Sequence, residues 1–197
     1  MKRHIAAAIL VIAACMGMRA QTSDLLVTMP VPPENLERLD ERSGYIVENY
    51  WKTFNPKSSF SSLDRLGNTM EQFFNFTPYA PAETVHRSID YLINIVGKAK
   101  PDNLVTLASM AERYIYADTA DWYSEELYFP FVKAVADTKK IKNPLKARYK
   151  AQYEQLLNSQ IDTIPADFTY TTPDGGTATF YGSKAPYTLL FFYDPDC

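Results

Sequence analysis

Cys197 is the residue whose type and position most strongly suggest chemistry. It follows an unbroken apolar, aromatic and β-branched run at 188–193, which is too short for a membrane span and is bounded by Pro186 and Pro195. Such a run predicts a strand buried on both faces of an α/β sheet. Because open α/β sheets place their chemistry at the carboxyl ends of strands, the sequence predicts a reactive thiol at Cys197. A domain should not end just after a central strand, so we also expect the chain to be truncated, with most of a catalytic half missing.

Cys15 lies in an N-terminal segment that is typical of an export signal. Basic residues at 2–4 precede an apolar stretch at 5–18, which is too short to span a bilayer comfortably. Two processing sites remain open. Signal peptidase would cut between Ala20 and Gln21 and free the chain, whereas a lipobox-like Ile-Ala-Ala-Cys would leave Cys15 as a lipidated N-terminus. Either route predicts a protein of the periplasm or cell envelope, with membrane contact only through such a lipid.

The charge and cysteine counts exclude two classes of protein. The chain has 20 basic and 23 acidic side chains, and removal of residues 1–20 lowers the basic count to 17, which gives a formal charge of −6. No basic cluster exists, so we expect no nucleic-acid binding. After a cut at Ala20 the remaining cysteine is Cys197, so the sequence predicts no internal disulfide framework.

Residues 34–160 repeat apolar side chains at steps of three and four, which predicts an all-α domain. The first helix should extend over about 35–54, and Gly97 should lie just past the end of the third. Ser124 is the expected N-cap of the fifth, which Pro130 should delay or kink. The second, third, fourth and sixth helices should start near residues 61, 81, 101 and 143. The fourth helix should bury one stripe, made of Leu104, Leu107, Ala108, Ala111 and Ile115.

The sequence pattern changes near residue 160. Alternating residues at 168–171 and 177–181 flank Asp-Gly-Gly at 174–176, which predicts a β-hairpin before the apolar strand. The fold class is therefore α + α/β, an all-α helical domain followed by the truncated start of an α/β domain. The expected organisation is a signal peptide, a linker that becomes ordered near its last residue, a helical domain and a partial α/β domain, at residues 1–20, 21–33, 34–160 and 161–197.

The α/β region resembles the start of the thioredoxin-like superfamily, especially secreted thiol–disulfide oxidoreductases and their peroxiredoxin-like relatives. The resemblance is carried by Ile-Pro-Ala-Asp-Phe-Thr at 164–169, the Asp-Gly-Gly turn at 174–176 and the apolar strand at 189–193. It implies that Cys197 stands where the attacking cysteine of a Cys-x-x-Cys motif belongs, at the N-terminus of a helix. The second cysteine, that helix and the cis-proline loop of the superfamily are not in this chain.

The helical region resembles an uncharacterised helical domain that precedes thioredoxin-like domains in exported bacterial proteins. The matching pieces are Tyr-Ile-Val-Glu-Asn-Tyr-Trp at 45–51, Ala-Glu-Arg-Tyr-Ile-Tyr at 111–116, Glu-Glu-Leu-Tyr-Phe-Pro at 125–130, and Arg148-Tyr149. Together the two resemblances cover nearly the whole chain after the export signal. The order of these sequence motifs along the chain makes the resemblance specific, because each motif alone is weak evidence for it.

The resemblance implies that the full-length protein is a cell-envelope thiol–disulfide oxidoreductase, reducing rather than oxidising, with Cys197 as nucleophile and no cofactor. Its partners would be protein thiols and disulfides or an upstream envelope reductant. The chain as given should be inactive, because exchange needs a resolving thiol and because nearby carboxylates should hold the thiol pKa at or above about 8.5. The alternative is a helical module that binds protein or glycan on a redox-inactive thioredoxin-like scaffold.

Other residues that could do chemistry have simpler structural interpretations. His86 has no partner at ligand spacing, so we expect a structural or solvent-facing side chain and no metal site. Glu125 and Glu126 should belong to a first helical turn, and Asp118 and Asp121 to a turn segment, which argues against acid–base catalysis. An aromatic run could line a groove for peptide or glycan, although we expect core and rim packing; it comprises Tyr114, Tyr116, Trp122, Tyr123, Tyr128 and Phe129.

Overall fold

The computed structural model describes residues 24–158, 164, 166–182, 185–191 and 194. The chain divides into two compact units, one ending at Leu157 and the other beginning at Asn158. The domain boundary predicted at 160/161 lies in 159–163, outside the described residues.

The described part of the first unit contains six α-helices joined by short turns. They are α1 (Leu39–Asn49), α2 (Leu63–Phe74), α3 (Ala82–Ala99), α4 (Asn103–Ile115), α5 (Glu125–Asp137) and α6 (Asn143–Leu157). Short 3-10 helices cover Tyr50–Thr53, Ser59–Ser61 and Thr77–Tyr79. Helix α1 packs on α3, α2 on α4, and α4, α5 and α6 pack in sequence order. No helix in the described residues is long and apolar enough to cross a membrane.

Apolar spacing accounts for how these helices pack. Helix α4 buries the predicted stripe of Leu104, Leu107, Ala108, Ala111 and Ile115, so that prediction is confirmed. The centre of the core is an aromatic cluster in which the ring centroids of Tyr50 and Trp51 lie 4.8 Å apart and those of Trp51 and Phe73 5.0 Å apart. These rings are buried, and burial of the Phe73 ring contributes roughly 1.5–3 kcal/mol to the free energy of unfolding.

Two predicted helix boundaries are wrong. The first helix begins at Leu39 instead of about 35, and it tightens into the 3-10 helix Tyr50–Thr53. Gly97 lies inside α3, which continues to Ala99, and therefore does not follow its end. A Cβ at Gly97 would lie 3.4 Å from the Leu104 side chain, which is ordinary van der Waals contact between α3 and α4.

The start of helix α5 tests two expectations, an N-cap at Ser124 and a late start or kink caused by Pro130. The Ser124 side chain accepts a hydrogen bond from the Leu127 amide at 3.2 Å, so the predicted N-cap is confirmed. The helix begins at Glu125, directly after this cap, and Pro130 is accommodated in its interior without a late start. Proline lacks an amide hydrogen, so the helix loses one backbone hydrogen bond to Glu126.

The segment before the helices is not a free tether up to Pro33. The Leu26 amide donates to Thr69 Oγ1 at 2.9 Å and the Thr28 amide donates to Thr53 Oγ1 at 2.8 Å. Val27, between them, is buried in the core. The linker prediction is therefore corrected for residues 24–33, because alternating backbone hydrogen bonds and one apolar anchor hold the segment on the helices. Residues 21–23 lie outside the described part.

The second unit contains the predicted hairpin, with β1 (Thr169–Thr171) antiparallel to β2 (Thr177–Thr179) and Tyr170 opposite Ala178. Gly175 has φ 83° in the turn, a conformation that glycine adopts without steric cost. The described part of the predicted central strand, residues 188–191, forms no strand, and Leu189 is 92% exposed. This prediction is wrong for those residues. A central strand needs neighbours on both edges and cover on both faces, and the described sheet consists of two exposed strands only.

Candidate functional site

The four residues predicted from the sequence to carry chemistry or processing lie outside the described residues. These are Cys15, Ala20, Gln21 and Cys197. Their predicted roles stay predictions. Among the described residues no group of three or more histidine, cysteine, aspartate or glutamate side chains could hold a metal ion.

The aromatic run named in the sequence divides between a packed stack and a surface cleft. The rings of Tyr116 and Tyr128 stack with centroids 4.5 Å apart, and Tyr123 stacks on the outer side of Tyr116 at 5.7 Å. Tyr128 is fully buried while Tyr123 is exposed, so this stack runs from core to rim as expected. Trp122 and Tyr114 instead line a cleft.

We call this cleft the Trp122 cleft. It has a volume of about 210 Å³ and is formed where the end of α2 meets the α4–α5 loop. It is lined by Glu71, Phe74, Asn75, Arg113, Tyr114, Thr119, Ala120, Asp121 and Trp122. The Trp122 indole Nε1 donates to Asn75 Oδ1 at 3.0 Å, and the Tyr79 ring meets the indole edge to face at 6.3 Å. These two contacts fix the orientation of a tryptophan that remains 37% exposed.

The charges of the Trp122 cleft have both signs. Glu71 and Asp121 are exposed carboxylates that form no ion pair with any other described residue. The Arg113 guanidinium lies 5.7 Å from the centre of the Tyr114 ring, within cation–π range. The Tyr114 hydroxyl faces Gly67, where a Cβ would approach it to 2.8 Å. The cleft therefore offers acceptors, donors and an aromatic surface in one place.

A polar network ties the last three helices together. Glu112 on α4 accepts a hydrogen bond from the Arg148 guanidinium and another from Gln152 Nε2 at 2.8 Å. Gln152 Oε1 in turn accepts from the Tyr128 hydroxyl at 2.9 Å. Burial, together with the Glu112 charge, raises the pKa of Tyr128 well above its usual value. Tyr128 consequently stays a neutral donor, and the arrangement suits a structural role better than proton transfer.

His86 contributes to a second, more open cleft of about 280 Å³ between α3 and α5. Its Nε2 lies 2.9 Å from a carboxylate oxygen of Glu126, and both side chains are partly exposed. Glu125 and Glu126 occupy the first turn of α5, as predicted. The pair joins two helices, in agreement with the structural interpretation of His86.

Sequence reasoning missed Glu71, Asn75 and Gln152. Glu71 and Asn75 lie four residues apart near the end of α2, and this spacing places them on one face of the helix. That signal was available, although nothing in the sequence indicates that the α4–α5 loop would face them. Gln152 contacts Glu112 across 40 residues of sequence, and no local pattern reports such a pair.

Comparison with known proteins gives the family and the fold. The family model for a domain of unknown function, DUF5106, matches residues 16–159, which is most of the chain. The chain also resembles the crystal structure of a thioredoxin-like protein from Bacteroides caccae, with a TM-score of 0.70 and 24% sequence identity. The match covers 86% of this chain and 62% of the solved one, so the chain spans less than two thirds of that protein's length. No curated protein matches the chain significantly. The chain belongs to the DUF5106 family of domains of unknown function.

Proposed function

We propose that this chain is part of a cell-envelope thiol–disulfide oxidoreductase in which Cys197 is the attacking cysteine. The observation that carries the proposal is the fold shared over 86% of the chain with a thioredoxin-like protein. Because the chain spans 62% of that protein, the activity is proposed for a longer protein that contains these residues.

The described hairpin supports the proposed position of Cys197. The ladder is extended at its open end by the Phe180 amide, which donates to the Phe168 carbonyl at 2.9 Å, and the two rings stack 5.3 Å apart. The Tyr181 amide donates to Asp167 Oδ1 at 3.0 Å. Phe168 and Asp167 belong to the sequence motif that resembles the start of a thioredoxin-like domain. Their hydrogen bonds therefore join this motif to the end of the hairpin. The apolar run and Cys197 follow, in the order that such a domain requires.

The chemistry would run through two exchange steps. The Cys197 thiolate attacks one sulfur of a client disulfide, which forms a mixed disulfide and releases the other client sulfur as a thiolate. A second thiol of the longer protein then attacks Cys197 Sγ, releases the reduced client and leaves the oxidoreductase oxidised. An upstream dithiol of the envelope would supply the two electrons and two protons that restore the dithiol, and would itself become a disulfide.

Export is part of the same proposal, since it would deliver the enzyme to an oxidising compartment where client disulfides form. Release after Ala20 and lipidation of Cys15 both remain open. A Cys15→Ser variant separates them, because it should lose membrane retention if the lipid is attached there and should be unaffected if the chain is freed at Gln21. The intact mass of the mature protein provides the second readout.

An insulin-reduction assay with dithiothreitol tests the activity. The longer protein should accelerate the reduction, and its Cys197→Ser variant should act no faster than dithiothreitol alone. The chain as given should also be inactive, because after a cut at Ala20 it contains no second thiol. Acceleration by the Ser variant equal to that of the parent protein would show that Cys197 is not the nucleophile.

A further inference from the structure

We propose that the Trp122 cleft binds one sugar ring of an uncharged glycan. This site lies in the helical domain and does not depend on any thiol chemistry. It would give the domain a recognition function of its own.

The size of the cleft limits the ligand to one small unit. Its volume of about 210 Å³ is below the roughly 300–1,000 Å³ that is usual for sites holding drug-sized molecules. A single ring fits such a volume, whereas a folded peptide or a nucleotide does not. The cleft is partly open to solvent, so the rest of a longer chain could extend outward.

The exposed indole supplies a flat apolar surface in a fixed orientation. Trp122 lies in the α4–α5 loop, yet the hydrogen bond to Asn75 and the edge contact with Tyr79 hold it at two points. Its side chain is therefore already ordered before a ligand arrives, which lowers the entropy lost on binding. The apolar C–H face of a sugar ring matches such a surface, while its hydroxyls remain free for hydrogen bonds.

The charges around the indole favour a neutral polyhydroxyl ligand over a charged one. Glu71 and Asp121 can accept hydrogen bonds from hydroxyl groups, and the Arg113 guanidinium and the Asn75 amide nitrogen can donate to them. An anionic group would meet two carboxylates and be repelled. A cationic side chain would be attracted by the carboxylates but would also lie beside the Arg113 guanidinium, which offsets that attraction. A hydroxyl both donates and accepts, so it can satisfy either sign.

The two tryptophans of the chain allow a direct test by fluorescence. Trp51 is 1% exposed and Trp122 is 37% exposed, so acrylamide should quench Trp122 selectively. The chain is titrated with cellotriose, mannotriose and chitotriose as neutral probes, and with trilysine and trigalacturonate as charged probes. We expect at least one neutral trisaccharide to protect Trp122 from quenching in a saturable way, and the charged probes to give none.

Variants then place the bound sugar in the cleft. Glu71→Gln should weaken the binding by about fivefold, since a hydrogen bond to a charged acceptor becomes a neutral one. Trp122→Ala should abolish the heat of binding in calorimetry. Tyr91→Ala, at a tyrosine that is 46% exposed on α3 outside the cleft, should leave the affinity unchanged. The proposal is overturned if no neutral trisaccharide protects Trp122, if a charged probe protects it instead, or if Tyr91→Ala weakens binding as much as Glu71→Gln.

Discussion

Replacing Tyr128 by phenylalanine should loosen the attachment of the last helix. Helix α6 buries Tyr149 and Leu156, and its Tyr153 ring stacks on Phe129 of α5. A polar network adds to these contacts, since Tyr128 donates to Gln152 and Gln152 donates to Glu112. Phenylalanine keeps the ring stacked on its aromatic neighbour and removes only the hydroxyl, so the substitution isolates the hydrogen bond.

The structure sets the size of this effect. A neutral hydrogen bond contributes about 0.5–1.5 kcal/mol to stability, and a buried acceptor left without a donor costs about 1–3 kcal/mol. Gln152 is only partly buried and can regain some hydration, so we expect Tyr128→Phe to lower the free energy of unfolding by about 1.5 kcal/mol. With a urea m-value of about 2 kcal/mol/M, the midpoint should fall by about 0.7 M. A double-mutant cycle with Glu112→Gln should give a coupling of about 0.5 kcal/mol or more, because both residues act through Gln152.

Urea unfolding followed by circular dichroism measures the effect, with Tyr91→Phe as the matched control. Tyr91 is exposed, so losing its hydroxyl should change stability by less than about 0.5 kcal/mol. If Tyr128→Phe shifts the midpoint no more than Tyr91→Phe does, the network does not hold α6 and the reasoning is refuted.

Three further predictions concern packing and pH. Gly67→Ala should destabilise the chain by about 1 kcal/mol in thermal unfolding, because the new Cβ would meet the Tyr114 hydroxyl at 2.8 Å. In a Tyr114→Phe background, which lacks this hydroxyl, Gly67→Ala should stabilise the chain by about 0.5–1 kcal/mol. Destabilisation in that background would contradict the explanation. Phe73→Ala should cost about 3–5 kcal/mol in urea unfolding, since it opens a cavity at a fully buried ring, and a loss below about 1 kcal/mol would contradict the core assignment. Burial raises the pKa of Tyr50 and Tyr128, so the folded state keeps protons that the unfolded state loses. The contribution of these two tyrosines to stability should be constant below about pH 10, and stability should fall above it, less steeply in Tyr128→Phe. A rise in stability above about pH 10 would contradict the sign.

Local signals in the sequence were enough to find the helices and the hairpin, although they misplaced the start of the first helix and the end of the third. The Ser124 cap, the buried stripe of α4 and the turn around Gly175 each depend on residues close in sequence, and each prediction is confirmed. Contacts between distant residues were not accessible in this way. Thr69 holds the backbone of Leu26 across 43 residues, and this long-range bond explains why a polar, Pro-rich segment is ordered where a tether was predicted.

The Trp122 cleft likewise depends on contacts between residues that are distant in sequence. The aromatic run identified the α4–α5 loop, yet the partners that turn Trp122 into one wall of a cleft come from α2. The apolar run at 188–193 was predicted as a buried strand from its composition alone, and burial also requires neighbouring strands, which residues 185–191 do not have in the described sheet. Composition records the tendency of a segment to be buried, and the partners decide whether burial occurs.

The reactivity of Cys197 toward iodoacetamide as a function of pH tests the central claim most directly. The proposed longer protein and the chain as given are alkylated in parallel, and mass spectrometry of the Cys197 peptide gives the rate at each pH. We predict that the longer protein shows an apparent thiol pKa below the ordinary value of about 8.5, because a helix N-terminus would stabilise the thiolate, and that the chain as given shows a value at or above it. An apparent pKa at or above 8.5 in the longer protein would contradict the assignment of Cys197 as an activated nucleophile.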